Sequence, residues 1–311
     1  MSRASSATPA IASATPRMPV MPPLVDYHVH TARCGHAVGS MEGYIEHAIA
    51  SGLRELGFSD HLYLYWLDAD ERDPELGMAE WELDFYVEDV ERCRRQYGRD
   101  ITIRLSTEAD FVPGHEQKLE GILRRYDWDY VIGSVHFIDG WGFDDSRKLA
   151  GYAEWDIDQL YARYFDLVGQ SAETGYFDTI GHPDLVKKFG HRPRVDQGSA
   201  YAEVAARFAR SGVCVEVNTS GLRKPVREVY PHLDLLRACR AAGVPATLGS
   251  DAHAPAEVAA DLASASALLT QAGYDRYTLF AARTRQQRML DVDGLAGVQG
   301  ARKHGQAPRA S

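Results

Sequence analysis

His28 and His30 are separated by a single residue, as are Glu108 and Asp110, His182 and Asp184, and Asp251 and His253; Asp60 adjoins His61, and His136 stands by itself. On an extended strand, residues i and i+2 point to one face. His28 with His30, and Asp251 with His253, therefore offer paired ligands from one strand each, the simplest way for a strand to bind a metal ion. His36 lies in the loop TARCGHAVG, just past the first pair and able to fold back over it. The candidate metal ligands are His28, His30, His36, His61, Glu108, His136, His182, Asp251 and His253. Open zinc- or manganese-type sites take about three or four protein ligands each, and a carboxylate can bridge two ions, so this set suits two or three divalent metals. Imidazole and carboxylate without thiolate favour Zn, Mn or Fe over Ca or Mg. A cluster of this kind is a hydrolytic device: it activates water and neutralises anionic oxygens, which phosphate esters need before a hydroxide can approach. His47, His115, His191, His232 and His304 fall outside the pattern and read as surface or packing residues.

Ligands this far apart need a scaffold that returns to one rim repeatedly. Short strand-like runs at 24–31, 53–61, 101–111, 126–137, 176–184, 213–221 and 245–253 alternate with segments of helical period. The helical segments include 40–52, 83–98, 154–175, 199–212, 232–243 and 256–273, each closing at a glycine where a C′ residue of positive φ is expected. Such alternation specifies a parallel sheet with helical crossovers. No G-x-G-x-x-G or G-x-x-x-x-G-K-[ST] follows the first run, which favours a closed barrel over the phosphate-cradling open sheet. In a barrel the active site is built at the carboxyl ends of the strands, where six of the seven runs carry His, Asp or Glu. The sixth, VCVEVNTSG, instead presents Asn218, Thr219 and Ser220, then Arg223 and Lys224. An Arg–Lys pair at the mouth suits a phosphate, Arg by bidentate hydrogen bonds and Lys as a point charge. Asn218, Arg223 and Lys224 are thus the expected substrate contacts, with Arg192 and Arg194 as weaker candidates.

The 311 residues are 45% hydrophobic and 25% charged, enough for a sizeable core, and their net charge of −10 provides no global field to attract nucleic acid or an anionic membrane. No run reaches the roughly 18 apolar residues of a bilayer span, and no signal-peptide pattern is seen, so a cytoplasmic location is expected. Cys34, Cys93, Cys214 and Cys239 are widely spaced and read as reduced thiols. Residues 1–23 and 294–311 have the composition of disordered tails around a single domain at 24–293.

The strings DYHVHT, CGHAVG, GFSDH, TEADF, IGSVHF, DTIGHPD, EVNTSGLRKP with EVYP, and GSDAH resemble, in order, the motifs of the polymerase-and-histidinol-phosphatase (PHP) superfamily over about residues 24–260. Within it they are most similar to the histidinol-phosphate phosphatase branch. The resemblance implies a distorted seven-stranded (β/α) barrel with a trinuclear site. By motif position, His28, His30, Glu108 and Asp251 would hold the first metal. Glu108 would bridge to a second, held by His136 and His182, and His36, His61 and His253 would hold the third. It also implies hydrolysis of L-histidinol phosphate to L-histidinol and inorganic phosphate in histidine biosynthesis, by attack of a metal-bridging hydroxide on phosphorus. Asp60, Asp110 and Asp184 adjoin ligands and suit either leaving-group protonation or the orientation of imidazoles, so no general acid is assigned.

Three other readings remain in view. A phosphoesterase of the same superfamily could act on another small phosphate or a nucleotide. A metal-binding module without catalysis could keep the same ligands. An amidohydrolase-like C–N hydrolase would share the H-x-H opening but would want a bridging lysine, which no strand end supplies.

Overall fold

The structure, a computed structural model, describes residues 25–290. The expected tails at 1–23 and 294–311 lie outside these residues, as does His304. Seven parallel strands, β1 (Val25–Val29), β2 (Glu55–His61), β3 (Thr102–Asp110), β4 (Ile132–Ser134), β5 (Thr179–Ile180), β6 (Cys214–Asn218) and β7 (Ala246–Gly249), pair in chain order. Burial on both faces is what makes β1 and β6 unbroken buried runs rather than alternating ones.

The barrel is nearly closed. Between β1 and β7 the described residues form no regular ladder. The joint is made just past the strand ends, where the His30 amide donates to the Ala252 carbonyl at 2.9 Å and the Ala252 amide to the His28 carbonyl at 3.2 Å. Beneath it the Asp26 carboxylate stands in for a strand, accepting from the amides of Ser250 at 2.8 Å and Ala259 at 2.9 Å.

Around the barrel run α1 (Met41–Ala50), α2 (Glu82–Tyr97), α3 (Glu116–Leu123), α4 (Ile157–Glu173), α5 (Gly198–Ser211), α6 (Leu233–Ala241) and α7 (Leu262–Gln271). Side-chain caps fix several starts: Ser40 accepts from the Gly43 amide, Asp156 from those of Asp158 and Gln159, and His232 from that of Asp234. α4 buries Leu160, Tyr161, Tyr164, Phe165, Leu167 and Val168, a broad apolar stripe at helical spacing that faces the barrel. No helix of the described residues is long and apolar enough to cross a membrane.

Four features differ from the sequence reading. α3 was not expected, because EQKLEGIL is short and only modestly apolar. α7 begins at Leu262 rather than near 256, because a 3₁₀ turn at Pro255–Glu257 is followed by Asp261 in the left-handed region, φ 58°. Gly98 keeps a right-handed φ of −63°, whereas Gly52, Gly175, Gly212, Gly243 and Gly273 have the positive φ expected of them. Finally, an antiparallel hairpin, β8 (Arg276–Ala281) and β9 (Thr284–Met289), follows the last helix. β8 buries Phe280 against the rings of Tyr27 and Tyr130, while β9 is exposed throughout and reads as polar sequence.

Candidate metal centre

All nine ligand candidates meet at the carboxyl rim of the barrel. One ligand atom from each of His28, His30 and Asp251 falls within 4.8 Å of the others, and the same holds for His28, Glu108 and His182, for His30, His61 and Glu108, and for His36, His61 and His253. His136 joins through Glu108, its Nε2 lying 3.6 Å from Oε1, with its ring centroid 5.1 Å from that of His182.

Glu108 is the hub. Oε1 lies 2.9 Å from His182 Nε2 and accepts from the Ser134 hydroxyl at 2.6 Å. Oε2 lies 2.9 Å from His61 Nδ1, 3.3 Å from His28 Nε2 and 3.6 Å from His30 Nε2. Burial opposes its ionisation, yet the imidazoles of His28, His61 and His136 hold the carboxyl well below its ordinary range. Asp251 is likewise held down, against burial, by His28 and His30.

Four of the seven imidazoles are oriented from behind, and the pattern identifies which of their nitrogens faces inward. The Nδ1–H groups of His28, His136, His36 and His253 donate respectively to Glu216 at 2.7 Å, Asp110 at 3.0 Å, the Cys34 carbonyl at 3.1 Å and the Asp251 carbonyl at 3.1 Å. That leaves their Nε2 lone pairs toward the shared space, as a metal-ligating histidine requires. Asp60 braces His61 through its amide at 3.0 Å, faces His30 Nδ1 at 3.6 Å and accepts from the Thr31 hydroxyl; burial raises its carboxyl to about 6. Burial and the neighbouring His61 lower His30 to about 3, so its ring is neutral at physiological pH. Asp184 turns away from His182, accepting from Lys187 Nζ at 2.8 Å and the His232 amide at 2.7 Å.

The residues fit divalent cations by a test independent of motif. His28 Nε2, both ring nitrogens of His30, Glu108 Oε2 and His182 Nδ1 are buried with no hydrogen-bond partner. Orphaned buried donors and acceptors are rare, and several aimed at one another mark a place where an ion belongs. The backbone agrees: His182 and Asp251 both carry positive φ, 24° and 55°, a strain that persists only where surrounding contacts impose it. Cys34 also comes within ligand range of His30 and His253, but burial and the nearby Asp60 push its thiol well up, leaving it protonated.

A cavity of about 240 Å³ opens over the cluster, lined by His36, His61, Glu108, His136, His182, Asp251 and His253 together with Asp144, Leu185, Lys188, Ser220 and Lys224. A larger hollow of about 730 Å³ lies beside the acidic 66–82 segment. Its arginines are spent on Glu82, Asp89, Glu80 and Asp84, so it presents no free charge.

Of the three expected substrate contacts, only Lys224 lines the cavity. Asn218 is fully buried, donating to Glu216 at 3.1 Å and accepting from the Ser220 amide at 2.9 Å. Arg223 is turned to the backbone, its Nη2 donating to the Ser250 carbonyl at 2.7 Å. Arg192 and Arg194 are bound to Glu228, Asp156 and Asp158. Sequence reasoning missed Lys188, whose Nζ donates to the Asp144 backbone carbonyl at 2.7 Å and carboxylate at 3.1 Å. Burial opposes charge on Asp144, but Lys188, His136 and His182 bring its carboxyl down to about 2. Glu216 was missed as well. An acid inside the otherwise apolar run VCVEV, in phase with Asn218, was the signal available for it.

Comparison with known proteins follows the same lines. A family model described as the PHP domain matches residues 26–220. The chain is 44% identical to a probable histidinol-phosphatase of Deinococcus radiodurans over 237 residues, covering 76% of this chain and 88% of that one. It is 25% identical to the histidinol-phosphatase of Bacillus subtilis, covering 75% and 94%. Among solved structures, the histidinol phosphate phosphatase of Lactococcus lactis, complexed with zinc, L-histidinol and phosphate, superposes with a TM-score of 0.73 at 20% identity, over 85% of this chain and 98% of that one.

Proposed function

Because the chain belongs to the PHP domain family, we propose that it is a metal-dependent phosphomonoesterase hydrolysing L-histidinol phosphate to L-histidinol and inorganic phosphate, a cytoplasmic step of histidine biosynthesis. The observation that carries this reading is the convergence of nine metal-type side chains, several with orphaned buried atoms, beneath a small cavity that also holds two lysines. His28, His30, Glu108 and Asp251 would hold one ion, Glu108, His136 and His182 a second, and His36, His61 and His253 a third. Zinc-, manganese- or iron-type ions held there would supply Lewis-acid neutralisation of phosphoryl charge and lower the pKa of water.

The chain's own residues do the rest. Lys188 and Lys224 present ammonium groups at the wall of the cavity, where they would bind phosphoryl oxygens as point charges. Asp144 keeps Lys188 in place and stays anionic, so it suits the cationic end of an amino-alcohol substrate. Asp110, Glu216 and the carbonyls of Cys34 and Asp251 fix imidazole tautomers, so no reorganisation is needed when charge develops. The cavity's volume suits a small phosphate ester and not a polynucleotide.

Inorganic phosphate release from L-histidinol phosphate should be compared with release from a panel of phosphomonoesters and nucleotides, on protein of measured metal content. Preference for histidinol phosphate is expected. Equal turnover of the whole panel would favour a general small-phosphate esterase. Stoichiometric metal with no cleavage would establish a binding module instead.

A further inference from the structure

We infer that Glu216, buried in the middle of β6 and not itself lining the cavity, is the positioning residue that locks two of the proposed metal sites into a single unit. The inference rests on the metal-site reading above. Oε1 accepts from His28 Nδ1 at 2.7 Å, and Oε2 accepts from the backbone amide of His182 at 2.8 Å. One oxygen thus fixes a ring of the first site and the other fixes the chain at the second. The two rings it governs lie stacked, with centroids 5.6 Å apart.

The contacts have specific consequences. With its Nδ1–H engaged, His28 must offer the Nε2 lone pair, the orphaned atom that faces Glu108 and Asp251. The His182 contact restrains a residue whose φ of 24° would otherwise relax. Asn218 completes the set by donating to Oε2 at 3.1 Å, so each of these three hydrogen-bond partners of the carboxylate is a donor. The surrounding backbone is shaped to admit it. A Cβ on Gly249 would lie 2.2 Å from Oε1 and 2.5 Å from the His28 Cβ.

Glu216→Gln keeps the volume but must turn an amide NH₂ toward either the His28 ring or the His182 amide. The first outcome reverses the tautomer and blocks Nε2; the second frees the strained backbone. Partners of this type are worth about 10- to 100-fold in metal affinity. The test uses Zn²⁺ alone as the probe, measured by chelator competition on wild type, Glu216→Gln, His28→Ala and the double variant. Thermal unfolding of the metal-free forms is read alongside. Expected is an approximately 10- to 100-fold weaker Zn²⁺ affinity in Glu216→Gln, strongly non-additive with His28→Ala, because the carboxylate acts through that ring. Wild-type affinity in Glu216→Gln, or full additivity with His28→Ala, overturns the inference. If the wild type itself takes up no Zn²⁺, it is the metal-site reading that fails instead.

Discussion

Replacing Glu108 by Gln would test the centre at its hub, because the change preserves shape and removes one acceptor oxygen. In the orientation that keeps the Ser134 hydroxyl donating, as it does to Oε1 at 2.6 Å, the remaining oxygen stays there. The NH₂ must then occupy the Oε2 position, facing His61 at 2.9 Å, His28 at 3.3 Å and His30 at 3.6 Å. A residue that only orients a ligand is worth about 10-fold or more in metal affinity. A ligand shared by two ions should therefore cost at least that at each, a combined floor of about 100-fold, or ~2.8 kcal/mol at about 1.4 kcal/mol per tenfold. The assay is metal content by elemental analysis after dialysis against graded chelator, with phosphate release from L-histidinol phosphate and far-ultraviolet circular dichroism on the same samples. Glu108→Gln should lose ions at lower chelator strength and turn over at least ~100-fold more slowly, with an unchanged spectrum. Full metal retention and turnover within about threefold of wild type would refute the claim that this carboxylate bridges two ions.

Lys188→Met should raise KM and the inhibition constant for inorganic phosphate by about 10-fold, since a point charge at the cavity wall is worth on the order of 1 kcal/mol or more; unchanged phosphate inhibition removes Lys188 from the substrate site. Asp144→Asn should do the reverse for phosphate while weakening binding of the amine-bearing alcohol product, read by product-inhibition kinetics. Its pH signature has a definite sign. The folded carboxyl, at about 2, lies below its ordinary value of 3.8, so its contribution to stability is complete above about 4 and lost as pH falls through about 2. The stability difference between wild type and Asp144→Asn should therefore be flat from about pH 4 to 8 in urea titrations, and a slope there would be inconsistent with the ion pair to Lys188. Gly35→Ala places a methyl 1.9 Å from the Pro74 carbonyl at a φ of +85°. It should cost about 2 kcal/mol, lowering Tm by roughly 4–8 °C in calorimetry, and an unchanged Tm would show that the His36 loop is not packed on the 74–75 segment.

The barrel and its rim were legible in the sequence because parallel strands end where function begins: His28, Glu108 and Asp251 each lie toward the end of a strand-like run, and period two assigns their partners a face. What stayed hidden was carried by contacts across elements. Glu216 reads as an interior strand residue until the barrel curls round and brings the His28 ring of β1 to it. Lys188 reads as half of an exposed Lys-Lys pair, and only the 3₁₀ turn at Leu185–Lys187 aims one of them at Asp144. Arg223 carries the chemistry of a phosphate clamp, yet its Nη2 is taken by the carbonyls at 250 and 251, and the side chain does not line the cavity. The short helix α3 and the hairpin β8–β9 escaped because their amphipathic signals are weak or one-sided.

The joint between the first and last strands of the barrel, β1 and β7, is held by two backbone hydrogen bonds and the Asp26 side chain rather than by a ladder. His28 and His30 hang from one lip of that joint, Asp251 and His253 from the other. A cation shared by the two lips would act as a rivet through the weakest circumference of the wall. Stripping it with chelator would loosen the cylinder first along this line, so exchange protection should collapse at 25–30 and 246–253 before it does at the paired β2–β3 staves.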